Sequence, residues 1–241
     1  MAKITWMNWF KKTAHRLGFL LSGILLNSRP YRRWVTNQFH KLIYGSYLLE
    51  RPWTNTKWLG VPVLKCPFDL WVYQEMIYDL QPDVIIESGT FKGGSALYLA
   101  MICELIGKGR VVSIDLNEQI ERPKHARLSY LHGSSIDPQV VNSIKGVVAP
   151  EEKVLVFLDS THEKVHVLAE MRAYSPFVSL GSYMVVEDTN LNGFPVWHGY
   201  GPGPREAVQA FLAENDSFAI DRECEKYYLS FNPGGFLRRV K

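Results

Sequence analysis

"DVIIESGTFKGGSALYLAMICELIGKGRVVSID", residues 83–115, decides the fold. "DVIIE" (83–87) is a short apolar run that reads as a strand and closes on Glu87. "GGSALYLAMICELIG" (93–107) places apolar residues at helical spacing. "RVVSID" (110–115) is a second strand, closing on Asp115. Strand, glycine-bearing loop, helix and strand in that order form the repeating unit of an α/β sheet.

The alternation continues along the chain. "LSYLHG" (128–133), "KVLVFLD" (153–159) and "SYMVVED" (182–188) read as strands. "EKVHVLAEMRAYSPF" (163–177) reads as a helix stopped near Pro176, and "PREAVQAFLAEN" (204–215) as a helix with Pro at its first turn. "KYYLSFN" and "FLRRVK" flank "PGG" and read as a closing antiparallel hairpin. The expected architecture is α/β: a mostly parallel central sheet with helices on both faces and a C-terminal antiparallel hairpin. Ligands in such folds sit beyond the carboxyl ends of the strands.

The acids fall at those ends. Glu87 closes the first strand, Asp115 the second, Asp159 the fourth, and the adjacent Glu187 and Asp188 the fifth. One such acid is ordinarily a turn residue. A set of five points to a shared ligand that carries hydroxyls, a positive centre and a metal. The loop "ESGTFKGGS" (87–95) adds Gly89, Gly93 and Gly94, which let the backbone approach a ligand at a helix N-terminus. Phe91 stands where a dinucleotide fingerprint has its second glycine, and no Gly-Lys-Ser/Thr marks a P-loop. Asp115 lies where an acid can accept both ribose hydroxyls of an adenosine.

Composition bounds the rest. The 241 residues are 46% hydrophobic, enough for one globular domain and an extension. Three scattered cysteines indicate a reducing compartment, with neither a disulfide framework nor a zinc site. The net charge of +3 is uneven. Residues 1–65 hold 11 Lys+Arg and one acid, about +10; the remainder holds 16 and 23, about −7. Within the basic arm, "GFLLSGILLN" (18–27) is about half the length of a membrane span. A short signal or anchor, an interfacial basic helix, and a helix packed on its own domain or between subunits all remain open for it.

These stretches resemble class I S-adenosylmethionine-dependent methyltransferases, and most closely the cephalosporin hydroxylase/rhamnosyl O-methyltransferase family. The resemblance spans roughly residues 50–240 and rests on "WLGVPVLKCPFDLWVYQE", "IIESGTFKGGSALYLA", "VVSIDL", "HGSSID", "FLDSTH" and "VVEDTN". It implies a Rossmann-like methyltransferase domain over 51–241, behind a basic helical extension over 1–50. It also implies cofactor contacts from Glu87, Gly89, Phe91 and Ser95 in the first loop, from Asp115, from Ser135 and Asp137, and from Asp159. The implied Mg²⁺ ligands are Asp159, Glu187 and Asp188, a set of hard oxygens suited to that ion. The implied general base is His162, where catechol-type relatives carry a lysine. "STHE" (160–163) also reads as a capping box of Ser160 with Glu163, which would leave His162 in a helix's first turn.

The resulting expectation is a Mg²⁺-dependent O-methyltransferase that acts on a hydroxyl of a sugar, glycosylated or secondary-metabolite small molecule. It would be cytoplasmic and homo-oligomeric, with the arm available for peripheral contact with a membrane. Nucleic acid is not an expected partner, since no recognition motif accompanies the arm. Two rivals stay open. One is an oxidoreductase or hydroxylase, disfavoured by the glycine pattern and by the absence of His-x-Asp. The other is a non-catalytic module that keeps the fold.

Overall fold

The structure is a computed structural model, and it describes residues 18, 22–45, 51–118 and 121–241. Helices are α1 (Arg29–Gly45), α2 (Pro67–Leu80), α3 (Gly94–Leu105), α4 (Pro138–Val147), α5 (Lys164–Tyr174) and α6 (Pro204–Glu214). Strands β1 (Lys57–Trp58) and β2 (Val61–Pro62) form a small antiparallel pair. Strands β3 (Val84–Ser88), β4 (Arg110–Asp115), β5 (Leu128–His132), β6 (Val154–Leu158), β7 (Tyr183–Val186), β8 (Phe218–Ile220) and β9 (Phe236–Arg239) form the main sheet.

The order across that sheet is β5-β4-β3-β6-β7-β9-β8. Strands β3 to β7 pair in parallel, and β9 runs antiparallel to both of its neighbours. Side chains alternate between the two faces of each strand. Val84, Ile86, Val154, Val156 and Leu158 pack with α4, α5 and α6, while Ile85, Leu155 and Phe157 pack with α2 and α3. Both faces are therefore buried, which is why the central strands are continuous apolar runs.

The C-terminal antiparallel pair is present, but with a different first member. Residues 226–232, expected as a strand, are turn and coil, and β8 takes the place beside β9. Side chains of α2 hold the backbone of this segment off the sheet. The Phe231 amide donates to Asp69 Oδ2 at 2.8 Å, and Asn232 Nδ2 donates to the Tyr73 hydroxyl at 2.6 Å. Tyr228 has a φ of 66°, which a strand cannot accommodate.

The chain runs outward from β3 through β4 to β5, then returns to the other side of β3 for β6 and β7. That reversal opens a crevice at the carboxyl ends of β3 and β6. A third, smaller core of Tyr44, Cys66, Leu191, Val196, Leu229 and Phe231 ties α1 to the rim of this crevice. The expected boundary at residue 50 and half of the basic arm lie outside the described residues.

Candidate active site

The ladder carries the acids to one place. The Asp159 amide donates to Ser88 O at 2.9 Å and the Glu187 amide to Leu158 O at 3.0 Å, so three strand ends finish in step. Gly89, after β3, sits against the loop after β6. A Cβ there would lie 1.9 Å from the Asp159 carbonyl oxygen, and its φ is +91°. Asp188 holds a left-handed φ of 53°, and its amide donates to Asn232 Oδ1 at 2.9 Å. Asn232 thus links Tyr73 of α2 to the acid pair.

Two adjoining cavities occupy the crevice. The larger, about 550 Å³, is lined by Gly89, Phe91, Ser95, Asp115, Asp159, His162, Glu187 and Asp188 among others. Pro62, Val63 and Leu64 form its opposite wall, with Tyr44, Trp53, Trp197 and Phe231 at the rim. The smaller, about 90 Å³, is lined by Asp115, Ser135 and His166. Gly89, Asp115 and Ser160 border both.

On the cofactor side, Asp115 accepts from the amides of Phe91 at 2.7 Å and Asn117 at 2.8 Å, and Arg122 lies 3.3 Å away. Glu87 is buried and accepts from Ser113 Oγ at 2.5 Å through Oε2. Its Oε1 is buried with no partner. Burial pushes the Glu87 carboxyl above its usual range, against the pull of Lys65 and Ser113. Ser135 Oγ stands 3.2 Å from His166 Nε2. Neither Glu87 nor Asp137 lines a cavity: Glu87 is buried behind Gly89, and Asp137 caps α4, accepting from the Gln139 amide at 2.8 Å.

The acid cluster contains a group that sequence reasoning missed. Lys65 is 4% exposed, and its Nζ lies 2.6 Å from both Asp159 Oδ2 and Glu187 Oε2. Burial opposes its charge, but the two carboxylates outweigh that and hold the ammonium above its usual range. Burial likewise drives Glu187 well up, against Lys65, and its Oε1 has no partner. Burial would raise Asp159 too, yet Lys65 and His162 hold it below the usual range. Asp188 is pushed up to about 6 by burial, with His162 opposing.

His162 Nε2 is 3.1 Å from Asp188 Oδ2 and 3.5 Å from Asp159 Oδ1. Burial would lower its pKa, but Asp159 and Asp188 bring it up to about 9. With no dication near, the imidazole therefore carries a proton at neutral pH. The alternative capping box does not form: the N-cap of α5 is Glu163, and Ser160 Oγ instead donates to Glu170 Oε1 at 2.7 Å.

Ligand atoms of Asp159, His162 and Asp188 lie within 4.8 Å of one another, a spacing that can hold a metal ion. Three carboxyl groups share one ammonium and one imidazole, and the raised Glu187 and Asp188 mark acids crowded beyond what those two groups neutralise. Such a cluster favours a cation.

The family model for rhamnosyl O-methyltransferase/CmcI matches residues 50–240. The chain belongs to the rhamnosyl O-methyltransferase/CmcI family. Curated rhamnosyl O-methyltransferases are close relatives: that of Mycobacterium tuberculosis H37Rv is 39% identical over 213 residues, 85% of each chain. That of Mycobacterium leprae is 34% identical over 212 residues, 85% of this chain and 90% of its own. An apo structure of CmcI superposes with a TM-score of 0.61 at 24% identity, over 78% of this chain and 77% of that one. A CmcI structure with Mg and SAM also gives 0.61, at 22% identity over 78% of each chain. The fold is thus the class I methyltransferase fold, and this member of the rhamnosyl O-methyltransferase/CmcI family is an O-methyltransferase.

Proposed function

We propose that the protein methylates a hydroxyl of a sugar or of a glycosylated or secondary-metabolite small molecule, with Mg²⁺ as cofactor. The observation that carries this reading is the meeting of Asp115, Asp159, Glu187 and Asp188 around one crevice. The curated relatives' name, rhamnosyl O-methyltransferase, supports a sugar as acceptor.

The residues present fit both groups. Glu87 lines neither cavity, but its unpartnered Oε1 lies just behind Gly89, which lines both, and would suit the cationic amine of the cofactor's methionine; Asp115 faces both cavities where a ribose would lie. Asp159 and Asp188, with the unpartnered Glu187 Oε1, offer the hard oxygens that Mg²⁺ prefers. S-adenosylmethionine supplies a sulfonium-borne methyl group for in-line displacement. Mg²⁺ supplies positive charge that eases loss of the acceptor hydroxyl's proton.

This chain's own residues do the rest. Trp53, Trp197 and Phe231 give the acceptor an apolar rim against which a sugar face can lie. Pro62, Val63 and Leu64 close the far wall and exclude water. His162 Nε2, held between Asp159 and Asp188, is placed to take the hydroxyl proton once its own pKa has fallen. It also stands within ligand reach of the same acids. A hard ion would favour the carboxylates and leave the imidazole free as base; a softer ion would recruit its nitrogen.

Helix α1 exposes Trp34, Val35, Phe39 and Leu42. This apolar surface supports contact with a second copy of the chain, or with a membrane surface. No helix among the described residues is long and apolar enough to cross a membrane.

The decisive experiment titrates EDTA-stripped protein with S-adenosylmethionine and Mg²⁺, then incubates it with rhamnosides and other glycosides and reads a 14 Da gain by mass spectrometry. Binding of both ligands and a metal-dependent methylated product are expected. Methylation that persists undiminished in EDTA would remove the metal from the reading. Absence of product across the sugar acceptors would remove the substrate class.

A further inference from the structure

Helix α1 carries Arg29, Arg32 and Arg33 at helical spacings of three and four, so they share one face. Opposite lie the loop 193–195, Arg205 at the start of α6, and Arg222 in the turn that follows β8. All five arginines line one cavity of about 390 Å³. Its one acid, Glu225, pairs with Arg222 at 2.7 Å. Among the described residues, no carboxylate forms an ion pair with Arg29, Arg32, Arg33 or Arg205, four of the five cavity arginines.

Aromatic faces position two of these groups without neutralising them. The Arg205 guanidinium lies 4.2 Å over the Phe194 ring. That of Arg32 lies 5.8 Å from the Tyr228 ring, with Nη1 3.5 Å from its hydroxyl. Burial, then Arg222, pulls Arg205 below the usual guanidinium range, against Glu225 and Glu206. A folded chain does not gather five like charges around a hollow without cost.

We propose that this cavity binds a phosphate group, at a site separate from the methyl-transfer crevice. The planar guanidinium fork matches a tetrahedral oxyanion through paired hydrogen bonds. A surplus of four positive charges is matched better by a multiply charged phosphate than by a single carboxylate. The site is concave and of small-molecule size, unlike a flat basic surface for an acidic protein. It shares no lining residue with the crevice cavities. It is nonetheless joined to them: Arg33 and Tyr44 stand at the two sites on one helix, about 16 Å apart along its axis. Phe194 and Trp197 share one loop between them.

The test is isothermal titration of the full chain with pyrophosphate, beside Arg33→Ala/Arg205→Ala and Arg29→Ala/Arg33→Ala. The second variant alters only exposed side chains of α1, so it keeps its fold even if the loss of Arg205 from Phe194 harms the first. Saturable binding is expected for the wild type, weaker by about 10- to 100-fold in the variants. No pyrophosphate binding to the wild type, or equal binding to wild type and variants, overturns the site. Sedimentation with phosphatidylglycerol vesicles, against phosphatidylcholine, distinguishes the source of the phosphate. Sedimentation lost in the variants assigns a lipid headgroup. Sedimentation untouched by substitutions that abolish pyrophosphate binding assigns a soluble phosphate.

Discussion

Lys65 Nζ lies 2.6 Å from Glu187 Oε2, joining two buried side chains that are 122 residues apart in the chain. The same ammonium reaches Asp159 at the same distance. The acid cluster therefore carries its own internal cation, and its carboxylates stay together without a metal.

Lys65→Met should destabilise the protein strongly when metal is absent. Removing one partner of a buried ion pair costs about 3–5 kcal/mol, because the charge left behind is unpaired. Mg²⁺ should restore part of that loss by taking over the ammonium's task. Thermal unfolding in EDTA and in Mg²⁺ checks this. Equal melting of wild type and variant in EDTA would show that the pair does not contribute to stability.

His162 sets a pH dependence. Its folded-state pKa of about 9 is raised above the ordinary imidazole value of about 6.5. Its contribution to stability is thus fully present below about 6.5 and lost as pH rises through about 9. The melting difference between wild type and His162→Gln in EDTA should shrink across that window. In Mg²⁺ the imidazole should titrate lower, as histidine NMR resonances would reveal. A resonance that titrates near 6.5 under both conditions would refute the coupling to Asp159 and Asp188.

Asp115→Asn should weaken S-adenosylmethionine binding by about 10- to 100-fold, the loss of charge from hydrogen bonds to hydroxyl donors. The amide can keep only one of the two bonds, since Phe91 donates to Oδ2 and Asn117 to Oδ1, so thermal unfolding must accompany the binding measurement to separate lost affinity from a loosened loop. Calorimetry measures the loss. Unchanged affinity would place the ribose elsewhere.

Gly89→Ala should abolish cofactor binding and lower stability, because the new methyl would overlap the Asp159 carbonyl at a φ that alanine rarely adopts. Trp197→Ala should raise KM for the acceptor and leave cofactor affinity unchanged, since Trp197 lines only the larger cavity, at its rim. Denaturation curves test the first and steady-state kinetics the second.

Much of this was legible before the structure. Strands β3, β4, β6 and β7 read clearly because both of their faces are buried, and each closes on an acid; β5, half-exposed, closes on none. Helices α2 and α4 were not read. The first, "PFDLWVYQEMIYDL", has apolar residues on all sides, and the second, "PQVVNSIKGV", carries β-branched residues and a glycine. Residues 226–232 alternate like a strand, yet Asp69 and Tyr73 claim them, and no local pattern announces such a contact. Lys65 was hidden for the same reason. A lysine inside "VPVLKCPFD" signals only that an apolar stretch tolerates a charge, and its partners are far away in the chain.

Helix α1 lies outside the span that the family model matches, yet it supplies Tyr44 to the crevice rim. Tyr44 stacks on Trp53 at 4.9 Å and meets Phe231 and Trp197 edge-on at 5.0 and 5.3 Å. On the proposed reading this rim borders the acceptor, so α1 would share in selecting it from beyond the span of the family model. Exchanging the α1 residues of the rim with those of a relative would then shift acceptor preference and leave cofactor affinity unchanged, new substrates arising by changing the doorway and not the hearth.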